Sequence, residues 1–117
     1  MRNLYCADIE GDGLLDSVTK IWCGTFNQLS PDMKDLGVKT YTEPHEICGM
    51  FSDPNNILVM HNGVSYDGPA VTKVHGVKVE AEIIDTLYLS WYLCPRQLKH
   101  GLAAWGEELG IAKPEID

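Results

Sequence analysis

The stretch Ile57-Leu58-Val59-Met60-His61-Asn62-Gly63-Val64-Ser65-Tyr66-Asp67 governs how this sequence folds. Its first four residues form a continuous apolar run, bounded by Asp53-Pro54-Asn55-Asn56 before it and His61-Asn62-Gly63 after it. A strand with one wet face alternates apolar and polar residues, whereas a short unbroken run between turn formers fits a strand buried on both faces. Such strands occur in the parallel part of a mixed sheet, with helices covering both sides. The apolar character then gives way to a helix, predicted from near Tyr66 to about Lys73.

The chain upstream has a different pattern. Residues 4–10 read as a strand that runs into Gly11-Asp12-Gly13, where glycine tolerates positive φ and aspartate hydrogen-bonds nearby backbone. Residues 18–26 form a second strand, rich in β-branched and aromatic side chains. The turn Ser30-Pro31-Asp32 leads to a third at 37–41, and the three suggest an antiparallel meander. A helix follows, with Thr42 as its expected N-cap, Pro44 and Glu46 in its first turn, and Ile47 and Phe51 on one face. Downstream, residues 82–85 read as a strand and 86–92 as a helix closed by Pro95. A last helix is predicted over 98–109, with Leu102, Trp105 and Leu109 on its inner face, Gly110 as C-cap and residues 111–117 extended. Trp91 and Trp105 are expected in the core. The order β-β-β-α-β-α-β-α-α predicts an α/β domain over residues 1–117: a three-strand meander joined to parallel strands, with helices on the faces of the sheet.

With 117 residues, 44% hydrophobic and 22% charged, the chain has the composition of one globular domain. No apolar run approaches the ~18 residues of a membrane span, and the N-terminal residues lack a signal-peptide pattern, so a cytoplasmic protein is expected, in the host cytoplasm if it is viral. The net charge of −8 argues against broad binding to duplex nucleic acid, which depends on Lys and Arg. It leaves room for a nucleic-acid enzyme whose positive charge comes from bound cations. Cys6, Cys23, Cys48 and Cys94 are widely spaced with no CxxC pair, so buried free thiols are expected and a structural zinc is not.

Asp8 and Glu10 are the first candidate site residues. Positions i and i+2 of a strand point to the same face, so two carboxylates stand side by side while Ile9 points away. Without a partner they repel; a hard divalent cation such as Mg²⁺ or Mn²⁺ relieves that cost. The same spacing also fits a solvated strand end. A calcium loop starting at Asp8 is excluded, because its twelfth position, where a bidentate Glu is required, is Thr19.

Read with these residues, the segments ADIEGDGLLDSVTKIWCGTF, VMHNGVSYDGPAVTKV, IIDTLYLSWYL and HGLAAWGEELGI resemble, in order, the proofreading exonuclease domain of short-tailed, T7-like bacteriophage family A DNA polymerases. That domain belongs to the DnaQ-like, DEDD superfamily of 3′–5′ exonucleases with an RNase H-like fold. The resemblance puts the first motif, Asp-x-Glu, on Asp8 and Glu10, and the second, Asn followed by Tyr-Asp, on Asn62, Tyr66 and Asp67. It implies that Asp8, Glu10 and Asp67 hold two Mg²⁺ or Mn²⁺ ions that hydrolyse phosphodiester bonds from the 3′ end of single-stranded DNA, with RNA also open as substrate. A DNA polymerase subunit or a second copy of the chain are the implied protein partners.

The family's third motif, Tyr or His followed four residues later by Asp on a C-terminal helix, is not matched. His100 does not fit, because residue 104 is Ala. Asp85 is acidic at a strand end, but the matching segment of the family is not a metal ligand, and Asp117 has no helical motif around it. Relative to the family, the domain therefore reads as C-terminally incomplete. Either it is part of a longer or split polymerase, or a minimal exonuclease with three carboxylates, or a non-catalytic remnant that binds nucleic acid or a protein. Asn62 has the chemistry to hydrogen-bond the DNA backbone or to brace its turn, and bracing is the favoured expectation. Tyr66 and Leu14-Leu15 have the chemistry to contact a terminal base or simply to pack, and His61 that to meet a phosphate or close the strand end.

Overall fold

A computed structural model describes residues 2–111. The meander is present: β1 (Asn3–Gly11), β2 (Ile21–Leu29) and β3 (Asp35–Tyr41) pair antiparallel. Helix α1 (Pro44–Ser52) then leads to β4 (Asn56–Met60), which lies parallel to β1. A π-helical turn, Gly63–Asp67, runs into α2 (Gly68–His75), and β5 (Glu82–Asp85) pairs parallel with β4. Helices α3 (Thr86–Leu93) and α4 (Leu102–Leu109) follow. The sheet order β3-β2-β1-β4-β5 makes it mixed, as the apolar run at 57–60 implied, but β4 is not buried equally on both faces: Leu58 and Met60 are buried while Ile57 and Val59 are half-buried.

One face of the sheet carries the core. Phe26 stands edge-on to Tyr5 and Phe51, with ring centroids 6.4 and 6.2 Å away. Ile47 and Phe51 of α1, Ala70 and Val71 of α2, and Leu58 and Met60 of β4 are buried with it. Each large side chain so enclosed contributes about 1.5–3 kcal/mol of apolar transfer. Strand alternation puts Tyr5, Ala7 and Ile9 on this face and Cys6, Asp8 and Glu10 on the opposite one, where β1 is exposed.

Several boundaries differ from the sequence reading. The second strand starts at Ile21, because the carboxylate of Asp12 accepts hydrogen bonds from Thr19 and Lys20 and holds 12–20 as a closed loop. Glu43, with no side-chain cap bond, occupies the N-cap expected for Thr42. The last helix starts at Leu102, since Gln97 bonds back to Cys94 and onward to Lys99 in a turn. The apolar stripes of α3 and α4 are not core: Trp91 is 50% exposed, Leu89, Leu102 and Leu109 are exposed, and Leu87 and Trp105 are only half-buried, the Trp105 indole N–H donating to Ser90 Oγ. Nor are the thiols buried; Cys6 is exposed and the other three are half-buried, all unpaired. The extended tail expected after Ile111, including Asp117, lies outside the described residues.

Candidate active site

The parallel pairing of β4 with β1 ends at Val59 opposite Cys6, so beyond that point the β4-facing edge of β1 needs other partners. The π-helical turn supplies one. Its wider i→i+5 spacing, closed by Gly68 N–H to Gly63 O, carries the Asp67 side chain to β1, where Oδ2 accepts the Ile9 N–H at 3.1 Å. Gly63 has no room for a side chain, since a Cβ would lie 2.6 Å from Met60 Cβ. Asn62 enters the turn in the left-handed conformation, φ 65°, which asparagine adopts more readily than other non-glycine residues.

Asp67 is 3% exposed. Burial, with a smaller contribution from the charge of neighbouring Asp8 and then Asp85, pushes its carboxyl from 3.8 up to about 7 despite the Ile9 N–H bond. Tyr66, beside it, has its hydroxyl pushed up too, first by burial and then by Asp67, Asp12, Glu10 and Asp8. Asp8, Glu10 and Asp67 thus act electrostatically on one phenol at one end of the sheet. Among the described residues, no three such side chains converge closely enough to cage an ion as they stand. The donor chemistry suits a hard cation, and Asp67 has the desolvation that a cation would offset; Glu10 would have to be drawn in.

The remaining candidates separate. The Tyr66 hydroxyl donates to Gly13 O at 2.7 Å and its ring packs against the core, so it pins the β1–β2 loop. Leu15 packs against the core and its carbonyl accepts Lys73 Nζ at 2.7 Å, while Leu14 projects into solvent, 77% exposed. His61 Nδ1 meets Thr86 Oγ1 at 3.0 Å, which fixes the strand end. Asn62 braces the turn through its backbone: its N–H donates to Asp85 Oδ1 at 2.9 Å. Asp85 also accepts the N–H groups of Val64 and Leu87, which makes it a turn brace and the N-cap of α3. Aspartate ahead of a helical run is an N-cap signal, and it was the available clue to this role. Asp12, held down to about 2 by its bonds to Thr19 and Lys20, is likewise committed to its loop.

The sequence is 32% identical over 96% of its length to the DNA-directed DNA polymerases of Escherichia phage T7 and of Enterobacteria phage T3. The chain is related to these phage polymerases. It spans 20% of their length. No protein-family model matches it. Among solved structures, a product-bound exonuclease I superposes with a TM-score of 0.75 over 98% of this chain and 40% of that one, at 11% identity. E. coli exonuclease I in complex with a dT13 oligonucleotide gives 0.72 over 95% of this chain and 36% of that one, also at 11% identity. The apo form of a nuclease gives 0.67 at 16% identity, over 95% of this chain and 54% of that one. The phage-polymerase relative therefore has the RNase H-like fold of these exonucleases, with β1 at the centre of the mixed sheet.

Proposed function

We propose that this chain is a nuclease domain that hydrolyses single-stranded DNA from its 3′ end with the help of divalent cations, Mg²⁺ or Mn²⁺. The observation that carries the reading is Asp67: a buried carboxyl pressed against β1 beside Asp8, with its pKa pushed up to about 7. Asp85, the other carboxylate buried near this end of the sheet, accepts three backbone N–H groups instead. Asp8 and Asp67, with Glu10, would hold the ions, which supply an activated water and neutralise the leaving oxygen. The kinship with phage DNA polymerases and the fold shared with a DNA-bound exonuclease I support this reading.

The rest of the work falls to the chain itself. Asp8 and Glu10 stand on the face of β1 that α1 and α2 do not cover, so an incoming phosphodiester has open access. Leu14, exposed next to the acidic turn, would offer apolar contact to a terminal base. Tyr66 keeps that turn against Asp67. A second reading, a non-catalytic module that docks on DNA ends or on a polymerase, is favoured by the lack of a three-ligand cluster among the described residues. Incubation of 5′-labelled single-stranded DNA with the chain and Mn²⁺ separates the two. The nuclease reading expects a ladder shortening from the 3′ end that Asp8→Ala abolishes. Equal ladders from the wild type and Asp8→Ala would reject it, and cation binding without cleavage would favour the docking module.

A further inference from the structure

Asp85 lies at the end of β5 with 5% exposure, and both its oxygens are engaged. Oδ1 accepts the N–H groups of Asn62 and Leu87, each at 2.9 Å, and Oδ2 accepts that of Val64 at 3.0 Å. Two of these donors belong to the start of the π-helical turn, where the first N–H groups of a helix have no partner within it. Asn62 is also in the left-handed conformation, which asparagine tolerates better than other residues with a Cβ, and the bond to its N–H fixes that geometry in place. Five residues after Asn62 the same turn delivers Asp67 to the Ile9 N–H. The segment is thus clamped at one end by Asp85 and reaches the site at the other. Its neighbours reinforce the clamp: Thr86 meets His61, and the Tyr88 hydroxyl bonds to Ser65. At Gly63 the turn packs so closely that an added Cβ would lie 2.6 Å from Met60 Cβ.

We propose that Asp85 is a positioning residue: by anchoring Asn62 and Val64 it sets where Asp67 meets β1, beyond its local task of capping α3. For its consequence in catalysis the proposal rests on the nuclease reading above; for the placement of Asp67 it does not. The two tasks are separable because Leu87 reports the cap and Ile9 reports Asp67.

The test is amide hydrogen exchange, followed by NMR on the full chain carrying Asp85→Asn. That substitution keeps the shape but turns one acceptor into a donor facing an N–H. Positioning predicts that the amides of Asn62 and Val64, and with them Ile9, exchange at least about tenfold faster. It also predicts that kcat for Mn²⁺-dependent cleavage falls at least about tenfold while KM for DNA stays within about threefold. Faster exchange at Leu87 with Ile9 as protected as in the wild type would overturn the proposal. If Asp85→Asn does not fold, exchange in the wild type decides: Val64 and Ile9 opening with the same free energy supports it, and Ile9 staying closed while Val64 opens rejects it. Exchange needs neither cation nor DNA, so an inactive wild type would sink the nuclease reading and leave this one to be judged on Ile9.

Discussion

Asp67 and Asp85 are buried at the same end of the sheet, 3% and 5% exposed, and are held in opposite ways. Asp85 sits where three backbone N–H groups converge from two elements, so its desolvation is offset by hydrogen bonds. Asp67 accepts the Ile9 N–H and its own, and these do not compensate for burial and the adjacent Asp8 charge, so its pKa stands at about 7. Exposure alone would rank the two as equivalent. The supply of donors around each carboxylate distinguishes the brace from the group that can gain by meeting a cation.

The largest effect should come from removing that group's charge. Asp67→Asn keeps an oxygen able to accept the Ile9 N–H, and it should lower the rate of Mn²⁺-dependent DNA cleavage by about 100-fold or more while leaving the fold intact by circular dichroism. A rate within a factor of about three of the wild type would put Asp67 on the structural side of the comparison with Asp85.

Stability should move in opposite directions at the two positions. Asp85→Ala leaves three N–H groups without their acceptor and should cost about 3 kcal/mol in urea unfolding. Asp67→Asn should instead stabilise the protein above pH 7, by on the order of 2 kcal/mol. The sign follows from the raised pKa. Below 3.8 the carboxyl is protonated in folded and unfolded chains alike; between there and about 7 the folded chain keeps a proton that the unfolded chain has released. The stability linked to that proton is fully present below 3.8 and is lost as pH rises through about 7. Melting temperatures of the two proteins should therefore converge at low pH and separate toward pH 8; parallel curves would show that the Asp67 carboxyl is not strained by burial.

A smaller effect tests whether the acidic loop belongs to the same unit. Tyr66→Phe removes the bond to Gly13 O and should cost about 1 kcal/mol in denaturant titration. It should also loosen the loop enough to raise KM for single-stranded DNA. An unchanged KM would confine Tyr66 to packing.

The same contrast explains what the sequence revealed. The strand at 57–60 was legible because four apolar residues between turn formers leave few alternatives, and β5 was found at the expected 82–85. The Asp8–Glu10 pairing on one face follows from the strand period alone. The approach of Asp67 to Ile9 depended on a π-helical turn, which has no signature in residue type. The bracing of the turn by Asp85 was hidden because the two donors concerned lie 21 and 23 residues away. The stripe Leu102, Trp105, Leu109 shows why periodicity is only half an argument: it finds an apolar face of α4 but not what covers it, and here Leu102 and Leu109 face solvent.

In the proposed nuclease the charge of Asp67 serves a divalent cation. Calorimetric titration of Mn²⁺ into the wild type and Asp67→Asn at pH 8 tests it most directly. The wild type should bind Mn²⁺, and Asp67→Asn should weaken that binding at least about tenfold, a loss of about 1.4 kcal/mol. Equal affinities, or no binding to the wild type, would contradict it.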